Sequence, residues 1–346
     1  MKIILDAMGG DNAPQAPVMG AVEAVKTWGS QITLVGRGEE ILRVLRENGI
    51  ADLPNGLEIA NADDVVDMHD DPAAVIHKRK NSSMVVGLKM LADGNGDAFI
   101  SAGSTGALLT GATLLVKRVK GIRRAAMGPA MPNKAGGKTI IVDCGANAEC
   151  TPEFLLQFGV VGSLHAKKSF GVENPRVGLL NIGTEDSKGT PLQKEAYALL
   201  KDASEKGIVN FIGNVEGRDV LLGGVDVVVC DGFSGNVLLK SIEGTAYFMG
   251  SLMKHKIFKR NVLSMIGYLF CKKGVDEVMK MMDYREIGGT QFLGIKKPVI
   301  KAHGSSDALA FRNAVRQAED AVKANIADEL AQELQKLSEA KETSHD

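Results

Sequence analysis

Six short polar turns carry the residues whose types and spacing could do chemistry. They are DAMGGD (Asp6 to Asp11), SAGSTGA (Ser101 to Ala107), DCGAN (Asp143 to Asn147), GTEDSKGT (Gly183 to Thr190), DGFSGN (Asp231 to Asn236) and HGSSD (His303 to Asp307). Glycines let a backbone N–H approach a ligand, and Ser, Thr, Asn and Lys side chains donate hydrogen bonds. That mixture suits an anion, phosphate above all. Lys188 lies just before a helical pattern, where its charge opposes the helix dipole unless an anion sits between them. Ser234 and Asn236 open a long helical pattern. N-capping accounts for one of them and leaves the other to face a ligand. In HGSSD, Ser305, Ser306 and Asp307 read as helix caps, with His303 just before them.

Other chemistries find little support. Gly136-Gly137-Lys138-Thr139 resembles the end of a phosphate loop, but Pro132 stands where the earlier glycine is required, and a strand follows. SAGSTGA lacks the GxGxxG dinucleotide pattern, and neither GxSxG nor HExxH occurs. The 6 histidines show no metal-ligand spacing. Cys144 follows a strand, and a partly buried structural thiol is the favoured reading over a nucleophile. Acyl chemistry here implies direct attack by the acceptor, without an acyl-enzyme.

The elements around the turns repeat one grammar. An apolar run such as Ile3-Ile4-Leu5, Ala98-Phe99-Ile100 or Ile140-Ile141-Val142 enters each turn, and a helical pattern leaves it. Strand alternating with helix predicts βαβ units and a mostly parallel sheet covered on both faces, a three-layer α/β/α fold. All six turns then fall at the carboxyl ends of strands, on one ligand-binding rim. The chain of 346 residues carries 41 Lys+Arg against 42 Asp+Glu, a net charge of −1. This balance argues against nucleic-acid binding by bulk attraction. Hydrophobic residues at 45% support a large core, and the 40 glycines exceed the usual share of about 7%. The 4 cysteines form no CxxC pair, which favours a reducing cytoplasm. The opening apolar run is too short for a signal peptide. Ala98 to Val116 is uncharged, but its glycines and hydroxyls read as strand, turn and helix start rather than a membrane span.

Residues 1–346 read as a single α/β catalytic domain with an insertion at about 250–285. A long helix is expected from Ser234 to Phe258 and a second from Val275 to Met282, with an apolar tip from Asn261 to Phe270 between them. Lys254, Lys256, Lys259, Arg260, Lys272, Lys273 and Lys280 outweigh Asp276 and Glu277, so this protruding hairpin is basic. Its tip suits either a dimer interface or insertion at an anionic lipid surface. HKRKNSS (His77 to Ser83) is a second basic cluster, either a solvated face or a dock for an acidic or phosphate-bearing partner. The acidic tail, 328–346, reads as a solvated, fraying helix end.

Taken in order, DAMGGD, DPAAVIHKRKNSSM, SAGSTGALLTG, DCGAN, GLLNIGTEDSKG, FIGNVEGRD, DVVVCDGFSGNVLLK and KPVIKAHGSSD resemble the bacterial acyl-acyl-carrier-protein:phosphate acyltransferases. The resemblance covers roughly residues 1 to 325. Ser104 stands where that family usually has Asn, Cys144 where it has an apolar residue, and Ile287 and Thr290 where Tyr and Ala are common. The resemblance implies a fold similar to phosphotransacetylase and isopropylmalate dehydrogenase. It implies a homodimer on the cytoplasmic membrane face, working beside a glycerol-3-phosphate acyltransferase, and it requires no cofactor or metal.

On that reading a fatty acyl group passes from acyl-acyl-carrier protein to inorganic phosphate, giving acyl-phosphate for phospholipid synthesis. Excess negative charge in the tetrahedral state is the main obstacle. Lys188 is expected to meet the phosphate, and Asn236 the oxyanion or phosphate. Ser234, Gly235, Gly103, Ser104, Thr105, Gly106, Gly183 and Thr184 complete the cradle. His303 is a weak general-acid candidate, because a thiolate leaves readily. Asp6, Asp11, Asp143, Glu185, Asp186 and Asp231 crowd the same rim and must cap, pair or point away. Lys188 and Arg218 are their candidate partners. The acidic carrier is expected to dock on Lys78, Arg79, Lys80, Lys254, Lys256, Lys259 and Arg260. Val262, Leu263, Ile266, Leu269 and Phe270 are expected to touch the membrane. Rival readings are a metal-dependent NAD dehydrogenase, a coenzyme-A-dependent phosphotransacetylase and a non-enzymatic membrane scaffold.

Overall fold

A computed structural model describes residues 1–67, 69–281 and 283–342. Among the described residues twelve strands form: β1 (Lys2–Asp6), β2 (Gln31–Gly36), β3 (Leu57–Asn61), β4 (Ala98–Ser101), β5 (Ala126–Met127), β6 (Ala130–Pro132), β7 (Lys138–Val142), β8 (Arg176–Leu180), β9 (Asn210–Val215), β10 (Val227–Val229), β11 (Gly289–Leu293) and β12 (Val299–Ala302). They divide into two sheets rather than one. The first has 7 strands in the order β3-β2-β1-β4-β12-β11-β5, and the second has 5 in the order β6-β7-β10-β8-β9. Only the pairings of β11 and β6 are antiparallel. The chain passes between the sheets at Met127–Ala130, where β5 ends one sheet and β6 begins the other.

Each sheet is buried on both faces, as the continuous apolar strands require. Ile3, Leu5, Ile32, Leu34 and Ile100 point into one cluster with the helices Gln15–Trp28 and Ala308–Ala324. Ile4, Val35 and Phe99 point the other way, against the helix Ser83–Ala92. In the second sheet, Ile140, Val142, Val177 and Val229 pack on the helix Pro152–Phe170, while Ile141 and Val228 form the opposite cluster. Successive side chains on a strand point to opposite faces, so an uninterrupted apolar triplet feeds both layers.

The inserted hairpin is longer and more regular than expected. The helix Gly232–Leu252 continues as a π-helical stretch, Met253–Phe258. The return helix covers Val262–Met281, so the expected apolar tip forms its first half. Met282, the expected end of that helix, lies outside the described residues. The acidic tail also differs from expectation. The helix Ile326–Glu342 buries Leu330, Leu334 and Leu337 in the second core, and Glu329 pairs with Lys168. Its apolar residues recur at helical spacing, and that stripe outweighs the tail's net charge. Residues 343–346 of the tail lie outside the described residues.

Candidate functional site

All six polar turns follow parallel strands, as expected, but they fall on two rims. The turns after β1, β4 and β12 belong to the first sheet, and those after β7, β8 and β10 to the second. A cleft of about 420 Å³ opens between the sheets. Ala102, Gly103, Thr105 and Lys301 to Gly304 line one wall; Cys144, Gly145, Asn236, Leu239, Lys240 and Glu243 line the other. Two contacts join the sheets beside it: the Met127 N–H donates to Asp143 Oδ1 (2.7 Å), and the Cys144 N–H donates to the Met127 carbonyl (3.1 Å).

The rim carboxylates expected to crowd an anion are mostly committed elsewhere. Asp6 is buried and accepts from Ser101 Oγ (2.7 Å) and the Met8 N–H (3.1 Å). Asp143 is buried and accepts from the N–H groups of Met127 and Asn147 and from Asn147 Nδ2. Burial raises both acids above the ordinary carboxylate range, against these hydrogen bonds. Asp231 caps the helix Gly232–Leu252, accepting from the Ser234 N–H and Ser234 Oγ, each at 2.8 Å. Glu185 lies 3.9 Å from Lys188 Nζ, and Arg218 pairs with Glu216 rather than with any of the six.

The cleft brings together only part of the expected constellation. Asn236 lines it, and its carboxamide has no hydrogen-bond partner among the described residues. Asp231 takes the capping role expected of Ser234 or Asn236. Ser234 gives its hydroxyl to Asp231 and does not line the cleft. Gly235 is spoken for as well. Its N–H donates to the Asp231 carbonyl, and a Cβ there would overlap the Asp143 carbonyl. Gly235 is therefore demanded by close packing of the helix start against the β7 turn.

On the other wall, Gly103 and Thr105 line the cleft; the Gly103 N–H donates to Ser101 Oγ (3.1 Å), and Ser104 is buried. Gly106 faces Pro72, where a Cβ would sit 2.9 Å from its ring. Gly183, Thr184 and Lys188 stand on the β8 turn, outside the cleft lining. The Lys188 side chain is 46% exposed.

His303 lines the cleft, with Nδ1 2.8 Å from Ser305 Oγ and accepting the Ser305 N–H. A neutral ring therefore carries its proton on Nε2. Burial, helped by Lys240 and Lys301, holds His303 below the usual imidazole range, so it is neutral at pH 7. It is no cationic acid at that pH.

The group that the sequence did not single out is Lys301. It stands on β12 beside Ser101 of β4, only 9% exposed, and its ammonium donates to the Ala102 (3.3 Å) and Ala302 carbonyls. Burial pushes it down to about 8, with Asp11 and Asp6 opposing that shift and Lys240 adding to it. A displacement of that size corresponds to roughly 3 kcal/mol favouring the neutral amine. In sequence it is an ordinary lysine at a strand end; only the two flanking carbonyls and the facing wall distinguish it.

The docking residues divide too. Arg79 is held by Asp70 (3.0 Å) and Asp64 (3.2 Å), so its charge is largely answered within its own loop; Lys78 and Lys80 stay exposed. Lys254, Lys256, Lys259 and Arg260 are exposed on the hairpin, as are Val262, Leu263, Ile266, Leu269 and Phe270. No helix among the described residues is long and apolar enough to cross a membrane. No three His, Cys, Asp or Glu side chains among them are grouped to hold a metal ion.

A family model described as fatty acid synthesis protein (FA_synthesis) matches residues 1–329. A phosphate acyltransferase of Thermoanaerobacterium thermosaccharolyticum is 43% identical over 339 residues, covering 98% of each chain. One from Clostridioides difficile is 42% identical over 346 residues, covering 100% of each. The chain belongs to the phosphate acyltransferase family. It is thus an acyltransferase of fatty acid and phospholipid synthesis. A phosphotransacetylase from Streptococcus pyogenes shares the fold, with a TM-score of 0.60, 19% identity, and coverage of 93% of this chain and 94% of that one.

The thiols give this site a direct test. Cys144 and Cys230 are buried, and burial drives both well above the ordinary thiol range; half-buried Cys150 is pushed up to about 12. Thiolates are the reactive form. At pH 8 a maleimide should label exposed Cys271 rapidly and the other three only after unfolding. Cys144→Ala should keep acyl transfer within about threefold, because no thiolate is available there. Loss of activity beyond about a hundredfold in a folded variant would make Cys144 the nucleophile.

Proposed function

We propose that this acyltransferase moves a fatty acyl group from acyl-acyl-carrier protein to inorganic phosphate by direct attack, giving acyl-phosphate. The observation that carries the reading is a cleft walled by polar strand-end turns, with the unpartnered Asn236 carboxamide on one side and an ammonium on the other. A phosphate oxygen attacks the thioester carbonyl, the C–O bond forms, and the tetrahedral state expels the carrier's thiolate. The thiolate needs little acid assistance, in keeping with a neutral His303. Asn236 donates to the new oxyanion. Lys188 stands outside the lining on the neighbouring β8 turn, with its side chain exposed and Glu185 3.9 Å away as its ion-pair partner among the described residues; on this reading it swings toward the phosphate during the reaction. Burial of Cys144 and Cys230 with raised thiols supports a route without an acyl-enzyme.

The hairpin gives the reading its acyl donor. It leaves the cleft at Asn236–Glu243 and returns at Met281 and Ile287–Thr290. Between its helices lies an apolar cavity of about 640 Å³, lined by Met253, Phe258, Val262, Met265, Ile266 and Leu269 among others. Such a cavity suits an acyl chain. The exposed lysines beside it suit an acidic carrier. Val262, Leu263, Ile266, Leu269 and Phe270 are 48% to 88% exposed, an apolar face that a second copy of the chain or an anionic cytoplasmic membrane would cover. We place the protein there as a homodimer, handing acyl-phosphate to a glycerol-3-phosphate acyltransferase.

Release of free carrier thiol from acyl-carrier protein should depend on added phosphate. Lys188→Ala and Asn236→Ala should each lower kcat by about 10²–10³ with the fold intact by circular dichroism. Near-normal turnover in either variant removes that residue from the mechanism, and thiol release independent of phosphate removes the reaction. A second assay addresses docking. Reversing Lys254, Lys256 and Lys259 to Glu should raise KM for the carrier substrate about tenfold and weaken its salt dependence, leaving kcat within about twofold. An unchanged KM at low salt places the carrier elsewhere.

A further inference from the structure

One wall of the cleft holds a buried ammonium without a counter-ion. Lys301 is the only lysine or arginine among the described residues with a buried side chain. No carboxylate there lies within 4.0 Å of its Nζ. Its two hydrogen bonds go to carbonyls, which orient the ammonium but carry no net charge. An ammonium has three donors, so one N–H remains for a further acceptor. Folding an uncompensated cation into a wall is unfavourable unless a ligand supplies the missing charge.

The surroundings specify that ligand. Gly103, Thr105, His303 and Gly304 share the wall with Lys301, and Asn236 faces it with an unpartnered carboxamide. The other lysine of the cleft, Lys240, is answered by Glu243 at 2.8 Å. Charged groups around Lys301 come from three elements: Asp6 and Asp11 of β1 and its turn, Lys240 and Glu243 of the long helix, and His303 after β12. The acids stop short of an ion pair. Lys301 and Asn236 line the same cleft, and a small, fully charged oxyanion is the ligand class that an ammonium and a carboxamide would share.

We propose that Lys301 is the ground-state cation that binds inorganic phosphate on the β4–β12 wall of the cleft. The proposal rests on the acyl transfer to phosphate argued above and adds a division of labour. Lys301 holds the phosphate before reaction, and Lys188 approaches from the opposite sheet as charge develops. Lysine is charged below its pKa and neutral above it. Phosphate affinity of the free enzyme should therefore fall as pH rises through about 8. A bound anion favours the charged ammonium, so saturating phosphate should move that limb upward.

Sulfate isolates this effect, because it stays dianionic from pH 6 to 10 while phosphate titrates. With the full chain and acyl-carrier protein as donor, sulfate should inhibit competitively against phosphate, and its inhibition constant should rise about tenfold per pH unit above 8. Lys301→Arg, which stays charged, should flatten that rise. Lys301→Met should raise KM for phosphate at least tenfold while changing KM for the acyl-carrier substrate less than twofold. Melting curves with and without sulfate separate a misfolded variant from a binding defect, and Lys301→Arg should retain the sulfate shift. Three results overturn the proposal. They are the same sulfate pH profile in wild type and Lys301→Arg, an unchanged phosphate KM in folded Lys301→Met, or a rise confined to the acyl-carrier KM. The last would assign the cation to the phosphodiester of the carrier's prosthetic arm. If the wild-type chain releases no thiol in response to phosphate, the acyl-transfer reading itself fails, which is a different outcome from any of these.

Discussion

In the proposed reaction a phosphate oxygen meets a thioester carbonyl, which concentrates negative charge, and that charge is what the donors of the cleft would have to answer. Anions are stabilised by donors fixed before they arrive, because reorganising a polar environment during the reaction is expensive. The ends of parallel strands offer such donors without extra structure. Two sheets presenting these ends to one another can surround an anion that one rim would leave half solvated. In the proposed reaction Asn236 stands on one wall and Lys301 on the other, each fixed by its own sheet.

Rigidity between the walls comes from unglamorous contacts. Asp143 ties its own turn together and also accepts the Met127 N–H, which joins the sheets. Gly235 lets the long helix start directly against the Asp143 carbonyl. Asp231 caps that helix and engages Ser234, which leaves Asn236 two residues further along. The rim acids are thus mainly the mortar of the site. Their hydrogen bonds tie each turn to itself and to its neighbours, Asp6 to Ser101 of β4 and Asp143 to Met127, and burial of Asp6 and Asp143 further disfavours charge on them.

Much of this was legible in the sequence. Apolar triplets ending in Gly-bearing polar turns identify βαβ units, and their buried strands face two layers as the triplets require. The turns were therefore found at strand ends. That they belong to two sheets was not legible, because strand order depends on non-local pairing. Asn236 was readable as a residue left over from capping, although the cap proved to be Asp231 and not Ser234. Lys301 was missed because its distinction is wholly tertiary: β4 beside β12 places the Ala102 carbonyl under its ammonium. Arg79 looked free in a basic run, yet Asp64 and Asp70 reach it from nearby loop positions. The acidic tail was misread because charge was weighed above the spacing of Leu330, Leu334 and Leu337.

The central claim is that an anion is held between the two sheets. A crystal structure of the protein grown in orthophosphate tests it most directly. The account predicts a tetrahedral anion within hydrogen-bond distance of Lys301 Nζ and facing the Asn236 carboxamide. Phosphate seated only on the outer Gly183–Lys188 turn, with the cleft containing water alone, would contradict it.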